Sequence, residues 1–388
     1  MKIIIDASKA VNEKAGIARY TKELCGWLPK LYPSDNFYYY FNFISNAHQK
    51  KQQIKKIISD HKNIQYKIYP LPGQIKEYLY PKKFSISNLL FPNAHLAHAT
   101  EFLSYDVGYK IPQILTVHDL TMLKFPQHRG KTESTRHANM LKNACKDAKS
   151  IIAVSQATKN DIVKYFKISA GKINVIYQGT SDKFYTLKNK KDIQKQLKKF
   201  NISGKYILFV GTIEPRKNIQ NLIRAYELFS KTTLGKSYEL VLAGNKGWNS
   251  DDIYNLAHKS PYKHKIHFIG KVSDKDLLHL YNGATLFCYP SIYEGFGIPI
   301  LEAMLCSLPV ITSNISSMPE VGGSAAEYVN PANCLDISQK IGKIIGNSRK
   351  MRSMSDASYL QAKKFTWKKC AEQTYQIYQK VYEKHYQK

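Results

Sequence analysis

A chain of 388 residues, 43% apolar and 12% aromatic, is too long for one ordinary core and predicts two domains, each with enough apolar side chains to fill its interior. No run reaches the roughly 18 uninterrupted apolar residues that a membrane-crossing helix requires, so none is expected. The net charge of +29, from 58 basic against 29 acidic residues, has two readings: a compositional bias toward lysine, since only seven of the basic residues are arginines, or attraction to anionic lipid or an anionic substrate. Nucleic acid is not expected as a partner, because zinc-ligand spacing, an RNP-like run and a helix-turn-helix are all missing.

The six cysteines (Cys25, Cys145, Cys288, Cys306, Cys334, Cys370) form no C-x-x-C pair, and several sit in apolar runs. That predicts buried thiols in a reducing compartment rather than a disulfide scaffold. Residues 1–6 hold an apolar run too short for a signal peptide, stopped by Asp6. The expected location is cytoplasmic, and the lysine surplus leaves open peripheral attachment to the inner face of the cytoplasmic membrane.

Along the chain, short apolar runs at 3–5, 37–43, 64–69, 95–99, 114–117, 151–154 and 175–177 read as strands. Helical patterns fall at 16–30, 47–60, 132–148 and 156–167. The lysine-rich stretch 188–199 interrupts this series and reads as a solvated helix or linker. A second series follows, with strands at 206–210, 240–243, 266–269, 286–289 and 310–312 and helices at 218–232, 274–283, 299–306, 335–346 and 350–364. Alternation of strand and helix predicts parallel sheets covered on both faces, hence an α/β fold of two doubly wound, Rossmann-like domains. The expected boundaries are 1–190 and 200–368, with a final Tyr- and Lys-rich helix at about 369–388 returning to the first domain. Ligands in such folds sit at the carboxyl ends of strands, which predicts a site in the cleft that both domains face.

Five segments carry chemistry. Gly16 follows the first strand and opens a helix, where a glycine permits close approach of backbone to ligand. His118 lies just past a strand end and can hydrogen-bond a hydroxyl or move a proton, with Asp119 orienting it. After the strand ending at Val210 come Gly211, Thr212, Glu214, Pro215, Arg216, Lys217 and Asn218. The adjacent cations can compensate a diphosphate without a metal. In Glu294-Gly295-Phe296-Gly297-Ile298-Pro299-Ile300-Leu301-Glu302, the glycines bring backbone close to a ligand, and the N–H groups ahead of Pro299 carry the partial positive charge of a helix start. Residues 312–323 form a hydroxyl-rich, glycine-containing loop after another strand.

Glu294 and Glu302 do not fit a glycosidase pair. Eight helical residues would separate them by about 12 Å, whereas inverting hydrolases need about 6.5–9.5 Å and retaining ones about 5 Å. The only D-x-D, Asp274-Lys275-Asp276, follows Val272 and Ser273 at a helix start and reads as capping, so no catalytic metal is expected.

The combination GTIEPRKN at 211–218, YEGFGIPILEAM at 293–304 and PVITSNISSMPEVGG at 309–323 resembles the retaining family-4 glycosyltransferases of the GT-B fold. Within that family it is most similar to the bacterial mannosyltransferase-like branch that builds O-antigen and other surface polysaccharides. The resemblance is strong over 205–330 and thinner in the first domain, where Gly16 and His118 fall in the expected places. It implies that Arg216 and Lys217 bind the donor diphosphate, with Gly211, Thr212 and the N–H groups of Phe296, Gly297 and Ile298 beside it. Glu302 would bind the donor ribose, and Glu294 and His118 the transferred sugar. Lys271 and Val272 would flank the base, and Gly16 would approach the diphosphate from the other domain. The implied catalytic set is His118, Glu294, Arg216 and Lys217, with no cofactor, because the nucleotide-sugar is a substrate. The implied acceptor is a glycan or polyprenyl-linked saccharide. The implied donor is GDP-mannose, with UDP-glucose, other UDP-sugars and dTDP-rhamnose as alternatives. A soluble glycosyltransferase and a non-catalytic nucleotide-sugar-binding protein are the competing functions.

Overall fold

The computed structural model describes residues 1–11, 16–43, 45–59, 61–70, 89–101, 111–128 and 130–387. The chain divides into two compact units, Met1–Gly179 with Thr366–Lys388, and Thr180–Phe365.

In the first unit, the described residues form seven parallel strands in the order β3-β2-β1-β4-β5-β6-β7. They are β1 (Lys2–Asp6), β2 (Asn36–Phe41), β3 (Ile64–Ile68), β4 (Leu96–Ala99), β5 (Gln113–Val117), β6 (Ser150–Ala153) and β7 (Ile173–Val175). The central strands are buried on both faces, which is why β1 reads Ile3-Ile4-Ile5 without alternation. The order reverses between β1 and β4, as in a doubly wound sheet.

The last helix, Trp367–Tyr386, belongs to this unit. Thr366 caps it by accepting from the Lys369 N–H. Its buried residues include Trp367, Cys370, Ala371, Thr374, Tyr375 and Tyr378, spaced three and four apart along one face. Tyr375 stacks on Tyr32 and donates to Asp35 at 2.5 Å. Deeper in the same face, Tyr378 Oη lies 2.6 Å from His98 Nδ1, and His98 Nε2 lies 2.8 Å from Thr116 Oγ1, which Tyr20 also reaches at 2.9 Å. Burial pushes the His98 imidazole down to about 3, so it stays neutral inside this polar chain. The return to the first unit depends on Gly179. A Cβ there would lie 2.1 Å from the Trp367 backbone nitrogen, so only glycine lets the two crossing segments touch.

In the second unit, six parallel strands run in the order β10-β9-β8-β11-β12-β13. They are β8 (Lys205–Val210), β9 (Tyr238–Ala243), β10 (Ile266–Gly270), β11 (Leu286–Tyr289), β12 (Val310–Ser313) and β13 (Glu327–Val329). The order reverses between β8 and β11. The structure decides between the two readings of 188–199 in favour of the helix, and it adds elements that the sequence reading did not name. The stretch 188–199 is no linker: the helix Lys190–Lys198 within it buries Ile193 and Leu197 and belongs to the second unit. It packs on the helix Asp274–Gly283, where Asp192 meets His279 at 3.1 Å. Two apolar residues one turn apart suffice because Gly283 allows contact so close that a Cβ would meet Leu197 Cδ1 at 2.7 Å. The helix Asp251–Lys259 escaped the sequence reading because it buries only Ile253 and Ala257. Strand β13 escaped it because three residues make too short a pattern.

Among the described residues, no helix is long and apolar enough to cross a membrane. All six cysteines are free thiols, five of them buried. Burial pushes Cys145, Cys306 and Cys370 each up to about 12, which makes them poor nucleophiles.

Candidate active site

The reversal between β8 and β11 places the carboxyl ends of those two strands side by side, and the loops leaving them carry most of the predicted site. The loop after β8 is laced to the loop after β9. Gly211 N–H donates to Ala243 O, Ile213 N–H to Asn245 O and Gly247 N–H to Ile213 O, each at 2.9 Å. Gly244, at φ 152°, makes this lacing sterically allowed. The chain then turns through Pro215–Lys217 into Asn218, which sits in the left-handed region at φ 60°. The buried Asn218 amide donates to Pro290 O at 3.0 Å and to Pro331 O at 2.7 Å. That clamp draws Arg216 and Lys217 against the loop after β11.

The two cations meet Glu294 there. Lys217 Nζ donates to Glu294 Oε1 at 2.6 Å and to Tyr289 Oη at 2.8 Å, and Tyr289 donates in turn to Glu294 Oε1 at 3.0 Å. Arg216 donates to Glu294 Oε2 and to Tyr293 O at 2.8 Å, and to Glu214 Oε1 at 2.6 Å. Two cations and two carboxylates thus share one largely buried site and balance each other's charge. Burial alone would raise the Glu294 carboxyl, but Arg216 and Lys217 overrule it and hold the group down at about 2. Burial draws the Lys217 ammonium below the ordinary lysine value, against the pull of Glu294.

This carboxylate makes stability depend on pH. Its folded value of about 2 lies below the ordinary 4.5, so its stabilisation is fully present above pH 5 and disappears as pH falls toward 2. The shift corresponds to about 3 kcal/mol. Glu294→Gln is therefore expected to be about 3 kcal/mol less stable than the parent at pH 7, with the gap closing between pH 5 and pH 2. Denaturant unfolding of both proteins across that range measures it. A gap that stays constant with pH would show that Glu294 is not held ionised by these cations.

The helix Ile298–Leu305 starts immediately after Gly297, whose φ of 118° favours glycine. Pro299 occupies its second position, one later than the sequence suggested. Pro299 has no N–H to leave unpaired, and the Ile300 N–H donates to Gly297 O at 3.0 Å. Glu302 lies on this helix, buried, and accepts from Tyr281 Oη at 3.0 Å. The hydroxyl-rich loop at 312–323 braces the segment from behind. Thr312 donates to Tyr289 O, Ser313 to Ser291 O, Ser316 to Glu294 O, and Ser317 to both Glu294 O and Phe296 O, at 2.6–3.0 Å. These hydroxyls shape the glycine loop, a role their sequence pattern did not disclose. Lys271 and Val272 leave β10 next to Gly244, whose N–H donates to Gly270 O at 2.8 Å. Thr212 is exposed beside Gly247. Ser273 caps the next helix through the Asp276 N–H, and the D-x-D carboxylates are engaged by lysines, Asp274 by Lys183 and Asp276 by Lys199.

Gly16 and His118 lie in the first unit. Gly16 opens the helix Gly16–Leu31. His118 Nε2–H donates to Thr100 O at 2.9 Å, and Nδ1 accepts from the Gln178 amide at 3.2 Å. Burial lowers its pKa, so the ring is neutral at pH 7. Both nitrogens have protein partners, so one of those bonds must open before His118 can hydrogen-bond a hydroxyl or move a proton. Sequence reasoning assigned no role to Glu214, Asn218, Tyr281, Tyr289 or Gln178. Asn218 alone carried a local signal, as an asparagine just before a helix.

Two family descriptions match the chain: Glycosyltransferase Family 4 over residues 15–184, and Glycosyl transferases group 1 over residues 190–361. The O-antigen chain mannosyltransferase B of Escherichia coli is 30% identical over 97% of this chain and 99% of its own length. The chain belongs to glycosyltransferase family 4. Among solved structures, sucrose-phosphate synthase from Thermosynechococcus elongatus superposes on this glycosyltransferase with a TM-score of 0.75, at 19% identity and 98% coverage of both chains. Anabaena HepE in complex with UDP-glucose does so with a TM-score of 0.72, at 18% identity, covering 98% of this chain and 100% of its own. These likenesses identify the fold of the glycosyltransferase as GT-B.

Proposed function

We propose that this glycosyltransferase moves a hexose from a nucleotide-sugar to a glycan or polyprenyl-linked saccharide during surface-polysaccharide synthesis, with retention at the anomeric carbon and without a metal. The observation that carries the chemistry is the buried Arg216–Lys217–Glu294 cluster at the carboxyl ends of β8 and β11. A departing nucleoside diphosphate gains negative charge as its bond to the sugar breaks, and two fixed cations stabilise that charge most in the transition state. In this reading Arg216 and Lys217 hold the diphosphate, joined by Gly211, Thr212 and the N–H groups of Phe296, Gly297 and Ile298. Glu294 accepts from a sugar hydroxyl through Oε2 while Oε1 stays with Lys217, and Glu302 accepts from the ribose. Lys271 and Val272 flank the base. His118 orients the sugar by exchanging one of its present hydrogen bonds, and Gly16 lets backbone approach the phosphates. The leaving phosphate takes the acceptor's proton on the same face of the sugar, which accounts for retention.

Mannose from GDP-mannose is the preferred donor, supported by the full-length likeness to the O-antigen mannosyltransferase. UDP-glucose is the second reading, supported by the ligand of Anabaena HepE. Thermal unfolding with GDP, UDP, dTDP and ADP, without metal and with magnesium, separates them. A ligand at one hundred times its dissociation constant stabilises by about 2.7 kcal/mol. A metal-independent rise with GDP alone is expected; a rise with UDP alone replaces the donor, and none at all rejects the donor site. Calorimetry with the stabilising nucleotide should then show roughly tenfold weaker binding by Glu302→Gln, because a charged acceptor for ribose becomes neutral. Unchanged affinity would remove Glu302 from the ribose contact.

A further inference from the structure

We infer that Tyr289 is a positioning residue of the transfer reaction: its hydroxyl, together with Glu294, holds the Lys217 ammonium so that the remaining N–H is presented to the leaving phosphate. The inference rests on the proposed role of Lys217 and adds a residue to it. An ammonium carries three N–H donors. Glu294 Oε1 accepts one at 2.6 Å and Tyr289 Oη a second at 2.8 Å; the third has no partner among the described residues. Two fixed acceptors define the direction of the third bond, whereas a single acceptor would let the lysine swing about it.

The triangle closes because Tyr289 also donates to Glu294 Oε1 at 3.0 Å. Its hydroxyl therefore acts in both directions at once, accepting from the cation and giving to the anion. Tyr289 can do this only as a neutral phenol, and burial next to Glu294 raises its pKa well above the ordinary tyrosine value. The ring itself is immobilised. It stacks between Phe209 and Phe287, each at a centroid distance of 5.7 Å and an angle of 16°. Lys217 Nζ also lies 5.2 Å from the Tyr289 ring centroid, within reach of its electron-rich face. Thr312 fixes the backbone by donating to Tyr289 O at 2.8 Å. A side chain gripped at the ring and the backbone is suited to hold a flexible lysine in one direction.

The charged groups that face Lys217 are Glu294, Arg216 and Glu214. Tyr289 Oη adds a neutral acceptor that favours the protonated amine. Its removal makes the amine lose its proton at lower pH. This gives the test a readout that a merely structural residue would not move.

Tyr289→Phe keeps the stacked ring and removes only the hydroxyl. It is expected to lower kcat about tenfold, to leave the affinity for the free nucleoside diphosphate within about threefold, and to shift the alkaline limb of the kcat–pH profile to lower pH. The asymmetry between kcat and affinity is expected because charge on the leaving phosphate is greatest in the transition state. Fluorotyrosine placed genetically at position 289 keeps the ring and hydroxyl but weakens its acceptor strength. It should move the alkaline limb the same way by less, and it serves as the test if Tyr289→Phe fails to fold. An unmoved alkaline limb with parental kcat, alongside an inactive Lys217→Ala, would overturn the positioning role while leaving the site intact. Parental activity in Lys217→Ala would overturn both.

Discussion

Lys217→Ala should lose two to three orders of magnitude in turnover at saturating donor. The ammonium is one of two cations at the point where the diphosphate is proposed to depart, and it sits in a buried site where water cannot replace it. Removing one preorganised charge-stabilising donor from such a site costs about 3–4 kcal/mol of transition-state stabilisation. Most of that loss should appear in kcat, because the charge Lys217 meets is larger in the transition state than in the bound donor. The variant should remain folded. Glu294 keeps its bonds to Arg216 at 2.8 Å and to Tyr289 at 3.0 Å, so its charge is not left alone. Initial rates with saturating donor, measured beside the unfolding transition of the same preparation, separate lost chemistry from lost structure. Near-parental turnover would remove Lys217 from the reaction.

The largest expected effect on stability comes from a residue that touches no proposed substrate. Gly244→Ala should destabilise the second unit by about 4 kcal/mol, from severe overpacking combined with an unfavourable backbone angle. A Cβ at this position would lie 1.9 Å from Gly211 O and 2.6 Å from Gly211 C, and neither is a side chain that can turn away. Relief requires pulling the loop after β8 off the loop after β9, which breaks the hydrogen bonds from Gly211, Ile213 and Gly247. Gly270→Ala is the control. Gly270 also has a positive φ, 68°, but an added Cβ would meet nothing within 4 Å, so its cost should be the backbone term alone, about 1–2 kcal/mol. Unfolding free energies of the two variants should differ by about 2–3 kcal/mol. Equal values would mean that the loops separate freely and that the lacing does not determine the site's shape.

The phosphate-side residues were legible in the sequence because their chemistry is local. Gly211, Arg216 and Lys217 follow one apolar run, and Glu294 through Glu302 follow another, so each half of the cluster announces itself as a strand end with charge or glycine attached. The same locality hid Tyr289, Asn218 and Glu214. A tyrosine in an apolar strand reads as core, and only the pairing of β11 with β8 brings its hydroxyl to Lys217, 72 residues away in sequence. His118 shows the converse. Its place after β5 was evident, but its neutral state was not, because burial among segments distant in sequence lowers its pKa, while Thr100 and Gln178 set only which nitrogen carries the proton.

The sequence by itself determined the alternation of strand and helix, the two doubly wound sheets and the positions of the two charged loops. Those depend on apolar periodicity and on residue types within a few positions of each other. Only the tertiary structure decided that Glu294 faces Arg216 and Lys217, that the hydroxyls of 312–317 brace the glycine loop, and that the helix Lys190–Lys198 packs instead of linking. The physical reason is that charge compensation and close packing depend on distance in space. In a parallel sheet, the nearest neighbour of a strand end is set by the crossover connections, which no local pattern records.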